Sequence, residues 1–174
     1  MAKIIATNET IKDIVASEIK KLGLDADLNH IDVSQVTNMT YTFAHSKFTG
    51  DISKWDTSNV INMAYMFSHS KFNGDISNWD VSKVLHMYCM FAYSKFNNDI
   101  SKWDASKVKD ISYMFHGSKV NRDIPIWDAT NIIDMRNMFG NSEFTGKFNN
   151  TKYLDGVKVT STRQMLEYNM RKLI

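Results

Sequence analysis

Apolar positions recur along this chain at a fixed interval of 24 residues. One column holds Leu28, Ile52, Ile76, Ile100 and Ile124, and a second holds Val36, Val60, Val84, Val108 and Ile132. A third holds Met39, Met63, Met87, Ile111 and Met135, a fourth Phe43, Phe67, Phe91, Phe115 and Phe139, and a fifth Phe48, Phe72, Phe96, Val120 and Phe144. Trp55, Trp79, Trp103 and Trp127 share the interval and are every Trp in the chain. One step before Trp55 lies Ile31, inside "HIDVSQV", so the pattern begins one unit earlier and five units fill residues 27–148. The unit reads D-I-S-x-W-D-x-S-x-V-x-x-M-x-x-M-F-x-x-S-K-F-N-G. Its inward side chains cannot be buried within a single unit, so neighbouring units must stack into one core. A period of 24 falls in the range of about 20–29 residues that marks leucine-rich-repeat solenoids. The Met column therefore reads as flexible core filler rather than as a cofactor box.

Local chemistry predicts elements within each unit. "DISxWD" combines a β-branched residue with an aromatic and suits a short parallel strand paired unit to unit. Ser58, Ser82, Ser106 and Thr130 stand where a helix N-cap would, ahead of Val60, Met63, Met66 and Phe67 at helical spacing, which predicts a helical or 3₁₀ turn. Gly50, Gly74 and Gly146 mark a turn requiring positive φ, with Asn98 a tolerable substitute. Arg122 fits that column less well, and Pro125 predicts an irregular unit. Residues 1–26 read as a cap: a short strand over Lys3 to Ala6, then an amphipathic helix with apolar Ile11, Ile14, Val15, Ile19 and Leu22, started by Thr7 or Asn8 and ended by Gly23. Residues 149–174 read as a degenerate repeat, echoed by Val159, Met165 and Leu166, with "TRQMLEYNMRKLI" as a closing helix. The whole is one domain, an α/β repeat of 24-residue coils with short parallel strands and helical caps.

Composition narrows the function. Apolar content of 43% is globular and the formal net charge is +2. Near-neutrality argues against nucleic acid as partner, which needs a concentrated excess of Lys and Arg. No apolar run of about 18 residues predicts a membrane span. The lone Cys89 cannot form an internal disulfide, and it occupies a column otherwise holding Tyr41, Tyr65, Tyr113 and Asn137, so it reads as a substitution rather than a nucleophile. The first residues lack the uninterrupted apolar run of a secretory signal, being broken by Asn8, Glu9, Lys12 and Asp13.

The "V-x-x-M-x-x-M-F" string joined to "F-N-x-D-I-S-x-W-D" resembles the BspA-type leucine-rich repeat, including the domain of unknown function abundant in mycoplasma lipoproteins and other bacterial surface proteins. The resemblance covers about 120 of 174 residues. It implies a right-handed solenoid used for binding, placed at the cell surface or secreted and associated with adhesion. With no signal peptide, lipobox Cys or wall anchor in view, a cytoplasmic place stays open. It supplies no catalytic residues and no cofactor.

Rows of like residues are the candidate sites. Stacked strands lie about 4.8 Å apart, so Lys47, Lys71, Lys95 and Lys119 make a row of positive charge ended by Glu143. Neighbouring charges at that spacing repel by about 0.8 kcal/mol in water, so the row does not stabilise the fold by itself. The column beside it, His45, His69, Tyr93, Gly117 and Asn141, changes identity from unit to unit, as a solvent-facing contact column would. Lys54, Asn78, Lys102 and Ile126 form an alternative patch. Two acidic rows, Asp51, Asp75, Asp99 and Asp123 (with Asp27) and Asp32, Asp56, Asp80, Asp104 and Asp128, invite comparison with calcium-binding β-rolls. The chain lacks their Gly-rich motif, and turn carboxylates accepting backbone N–H groups are the simpler reading. Ser46, Ser70, Ser94, Ser118 and Ser142 likewise read as hydroxyls bonded to backbone, and the five His residues form no metal constellation. No nucleotide loop, H-E-x-x-H or Ser/His/Asp arrangement is present. The sequence thus points to a non-catalytic, monomeric module binding a protein or glycan, with the Trp and Phe columns as its structural ladder. A self-assembling structural element is the alternative, and an intracellular or phage-encoded regulatory binder a third reading.

Overall fold

The computed structural model describes residues 3–123 and 131–145, together with the backbone of 152–154 and 157–159. Its regular elements are few: β1 (Ile4–Ile5), α1 (Ile11–Leu22), β2 (Ile31–Asp32), β3 (Lys152–Leu154) and β4 (Val157–Val159). β1 pairs in parallel with β2, Ile4 opposite Ile31 and Ile5 opposite Asp32. β3 and β4 pair antiparallel, Lys152 opposite Val159 and Leu154 opposite Val157. The expected closing helix, Trp127, Ile126 and Gly146 lie outside the described residues.

α1 forms because Ile11 and Val15 fall on one face and are buried, with Ile14, Ile19 and Leu22 packed against the same core. Asp13 in its first turn and Lys20 and Lys21 in its last complement the helix dipole. Gly23, at φ 104°, ends it, its N–H donating to the carbonyl of Ile19 at 2.9 Å. The helix begins at Ile11, with Thr10 at the N-cap position, later than the expected Thr7 or Asn8. Thr7 still supports the entry, its N–H donating to Thr10 Oγ1 at 2.9 Å and its carbonyl accepting from Ile11 at 3.0 Å.

Asn8 is used elsewhere. In later units a pair of adjacent N–H groups donates to one carbonyl 24 residues back: Ile61 and Asn62 both reach Thr37 O (2.8 and 3.2 Å), and Ile133 and Asp134 both reach Lys109 O (2.7 and 3.2 Å). Thr37 and Asn38 belong to the first unit and have no such predecessor. Asn8 Oδ1 accepts from both of them, at 2.8 and 3.0 Å, and its amide donates to Thr37 Oγ1 at 2.9 Å. One side-chain amide therefore replaces a carbonyl of the missing unit.

Contacts between units are isolated parallel bridges, not strands. Asn38, Asn62, His86, Asp110 and Asp134 are linked in sequence, and Asp27 bridges Asp51. The "DISxWD" segments expected as strands turn at Ser53–Lys54, Ser77–Asn78 and Ser101–Lys102. The expected helical turn is also replaced. From Ala64 to His69 the chain is a run of turns in which alternate N–H groups bond locally and across units. Met66, Ser68 and Ser70 donate to Met63, Tyr65 and Phe67, while Tyr65, Phe67 and His69 donate to Tyr88, Met90 and Ala92 at 2.8–2.9 Å. A helix would consume all of these donors internally, leaving none to join units.

The core is a set of aligned columns. Phe43, Phe67, Phe91, Phe115 and Phe139 stack with centroids 5.4, 5.5, 5.5 and 5.6 Å apart and planes within 8°. Trp55 and Trp79 are 6.3 Å apart and nearly parallel. Burying Trp requires a partner for its N–H: Trp55, Trp79 and Trp103 each donate to a carbonyl 27 residues earlier, at Leu28, Ile52 and Ile76. Beside Phe48, Phe72, Phe96 and Val120, a polar ladder runs in which Asn73, Asn97 and Asn121 each accept, through Oδ1, the backbone N–H one unit on, at 2.7–2.9 Å.

Candidate functional site

Two columns leave the core through backbone of left-handed conformation. Tyr41, Tyr65, Cys89, Tyr113 and Asn137 have φ between 51° and 64°, and His45, His69, Tyr93, Gly117 and Asn141 between 53° and 60°. The expected positive-φ positions differ: neither Gly50 nor Gly74, nor Asn98 or Arg122, is among them. Gly50 is needed for close approach instead, since a Cβ there would lie 2.0 Å from the carbonyl oxygen of Ala26. A non-Gly residue in this conformation costs about 1–2 kcal/mol, and here nine such residues are held at one repeated bend. Strain of this kind is a pointer to function when observed.

The bend sets a row of rings side by side. His45 stacks on His69 at 4.8 Å and 9°, and His69 on Tyr93 at 4.7 Å and 17°. Both His residues are exposed and Tyr93 is half-exposed. The row ends at Gly117, where a Cβ would fall 2.5 Å from the Tyr93 ring, so the missing side chain is what seats that ring. In the companion column Tyr41 stacks on Tyr65 at 4.6 Å, and Lys12 of α1 lies 5.6 Å from the Tyr41 centroid. Farther along, Tyr65 meets Tyr88 edge-on at 4.9 Å, and hydrogen bonding to Tyr88 raises the Tyr65 hydroxyl pKa. Cys89 is buried, and burial pushes its thiol up, away from nucleophilic character.

The Lys row runs beside the rings. Its backbone is fixed by bonds from Lys71, Lys95 and Lys119 to the carbonyls of Ser46, Ser70 and Ser94. Lys119 pairs with Glu143, whose carboxyl is lowered by Lys119 and, less, by Lys95. The ammonium groups of Lys47, Lys71 and Lys95 have no hydrogen bond or ion pair among the described residues. In the alternative patch, Lys102 donates to Asn78 Oδ1 at 3.3 Å and the Lys54 N–H to Asn29 Oδ1 at 2.8 Å.

The acidic rows are turned on their own backbone. Asp27, Asp51, Asp75 and Asp99 accept from the N–H two residues on, at Asn29, Ser53, Ser77 and Ser101. Asp32, Asp56, Asp80 and Asp104 do the same with Ser34, Ser58, Ser82 and Ser106. The Ser residues expected as N-caps are therefore donors in these turns. Such backbone bonds hold Asp51, Asp75 and Asp99 below the usual carboxylate range, and the side chains of Ser82 and Ser106, with their N–H groups, do the same for Asp80 and Asp104. Lys3, with Ser34, takes Asp32 to about 2. Ser46, Ser94, Ser118 and Ser142 accept through Oγ from the N–H two residues on. Among the described residues no three of His, Cys, Asp or Glu are grouped to hold a metal, and no helix is long and apolar enough to cross a membrane.

Sequence reasoning placed the ring and Lys columns next to each other but missed three features. These are the stacking of the rings, the left-handed bend and the use of Asn8. The last had a signal, a side-chain amide just ahead of a helix with no helical partner to cap.

No curated protein and no solved structure matches the chain. One protein family does, over residues 11–119 and again over 92–172, two overlapping matches that span nearly all of the repeats and the C-terminal segment. The chain belongs to the family described as Mycoplasma protein of unknown function, DUF285.

Proposed function

We propose that this protein is a non-catalytic interaction module, a right-handed solenoid of BspA-type, leucine-rich-repeat-like coils that presents one repeated surface to a protein or glycan, as in adhesion at a bacterial surface. The observation that carries this reading is the exposed stack of His45, His69 and Tyr93 beside three ammonium groups that have no ion pair among the described residues. A row of like charges adds nothing to a monomer's stability, so its alignment with exposed rings on a rigid frame favours a surface built for contact. The hydrogen bonds repeated between units support rigidity, which limits the ordering cost of binding.

The test is capture of partners by the intact protein from a lysate of the producing cell and from a host-surface fraction, repeated with Lys47, Lys71, Lys95 and Lys119 changed to Glu. Loss of a captured partner in the variant supports the reading. Capture that survives the change removes the Lys row from it. A second reading, self-assembly, is favoured by β1, which among the described residues has a strand on one side only and leaves Ile5 60% exposed. Light scattering across concentrations separates the two, since the binding module stays monomeric.

A further inference from the structure

We infer, resting on the binding reading above, that the partner of the ring and Lys strip is a linear acidic glycan, a polysaccharide carrying carboxylates or sulfates along its length. The first argument is which part of the rings is available. His69 has His45 over one face and Tyr93 over the other, at 4.8 and 4.7 Å. The second face of Tyr93 lies against Gly117. What these exposed residues offer is ring edge, where aromatic quadrupoles are positive and the imidazole N–H and phenol O–H groups sit. Flat stacking of a nucleobase, on which single-stranded nucleic acid binding depends, needs ring faces, and those of His69 and Tyr93 are already covered, which leaves the outer face of His45 alone.

Charge is the second argument. Lys47, Lys71 and Lys95 run beside these edges without a hydrogen bond or ion pair among the described residues, while the carboxylates of Asp51, Asp75, Asp80 and Asp99 are engaged by their own backbone N–H groups. The strip therefore presents donors and positive charge along one line, which complements a line of anions.

Spacing is the third. The rings repeat at 4.7–4.8 Å. Same-face side chains of an extended acidic peptide repeat at about 6.6 Å, twice the strand rise, and fall out of step within two units. A 1,4-linked pyranose chain advances by roughly one rung of this ladder per sugar and turns over from one sugar to the next, so its same-face anionic groups meet alternate units.

The experiment is calorimetric titration of the full chain with polygalacturonate, alongside neutral dextran, poly-glutamate and single-stranded DNA, at low and moderate salt. The inference expects binding of polygalacturonate, weakening with salt, and none of dextran. It also expects a loss of affinity of about tenfold or more in Lys71→Glu/Lys95→Glu and a smaller loss in His69→Ala. The control Lys54→Glu/Lys102→Glu is expected to bind as the native chain does. Unchanged thermal midpoints establish that the variants are folded. Equal or tighter binding of poly-glutamate or DNA, or equal loss in the control, overturns the inference. If polygalacturonate fails while a captured protein is still lost on reversing the Lys row, the glycan falls and the interaction module stands. If neither binds, both fall.

Discussion

Replacing Asn8 by Ala removes the group that ends the stack of units at its N-terminal side. Asn8 Oδ1 accepts the N–H groups of Thr37 and Asn38 at 2.8 and 3.0 Å, and its amide donates to Thr37 Oγ1 at 2.9 Å. A hydrogen bond contributes about 0.5–1.5 kcal/mol net, and an unsatisfied buried donor costs more. Asn38 is exposed and Thr37 half-buried, so water can reach the first donor and only partly the second. The expected loss is therefore near the low end for three bonds, about 1–2 kcal/mol. With a urea slope of about 2 kcal/mol/M, the unfolding midpoint should fall by about 0.5–1 M. Hydrogen exchange locates the effect: the Thr37 and Asn38 amides should lose protection while Ile61 and Asn62, bonded to Thr37 O, keep most of theirs. Asn8→Asp retains the acceptor oxygen and should recover most of the loss. An unchanged midpoint with unchanged protection at Thr37 and Asn38, or an Asp variant as weak as the Ala variant, would refute the claim that this side chain replaces a missing carbonyl.

Trp79→Phe keeps a ring in the core but removes the N–H that donates to Ile52 O at 3.1 Å; with the smaller volume it should cost about 1–3 kcal/mol by chemical denaturation. His69 sits at φ 57°; both His69→Val and His69→Asn lose its ring contacts, but Asn tolerates this conformation, so the Val variant should be less stable than the Asn variant by about 1–2 kcal/mol in a thermal melt. Asp51, Asp75, Asp80, Asp99 and Asp104 have carboxyls lowered in the fold, and Asp32 lies at about 2. A lowered folded value means that stability is present above the unfolded Asp value of about 3.9 and is lost as pH falls through the folded values. The melting temperature should thus be flat from pH 7 to about 5 and drop between about 4 and 2. A melting temperature that rises on acidification would contradict the Asp turns.

The columns of the core were legible because identical inward residues recur every 24 positions, and burial of Phe67, Phe91 and Trp79 needs nothing beyond that alignment. The Asp turns were legible too, since a short carboxylate followed two residues later by Ser is local chemistry. What local propensity misjudged was the segment after Val60. Met63, Met66 and Phe67 have helical spacing, yet each second N–H there bonds to the next unit, as Tyr65 does to Tyr88 and His69 to Ala92, and tertiary pairing overrides the helix. The same competition explains the missed bend. Positive φ is forced on Tyr41, Tyr65 and His69 by this alternating pattern, not invited by Gly, so the residue type carried no warning. The candidate site was half legible: adjacency of the His and Lys columns follows from the repeat, whereas the consumption of ring faces needed coordinates.

Excision of one unit tests the account most directly. Removing residues 72–95 joins Lys71 to Phe96 and leaves every column in register, with one member fewer in each, Tyr93 in the ring row and Lys95 in the Lys row. The account predicts a cooperatively folding, less stable protein whose Trp fluorescence still reports a buried environment, whereas removal of residues 72–83, half a unit, gives a chain that does not fold cooperatively. If the full-unit deletion unfolds as completely as the half-unit deletion, the stacking of interchangeable 24-residue units is wrong, and with it the surface those units build.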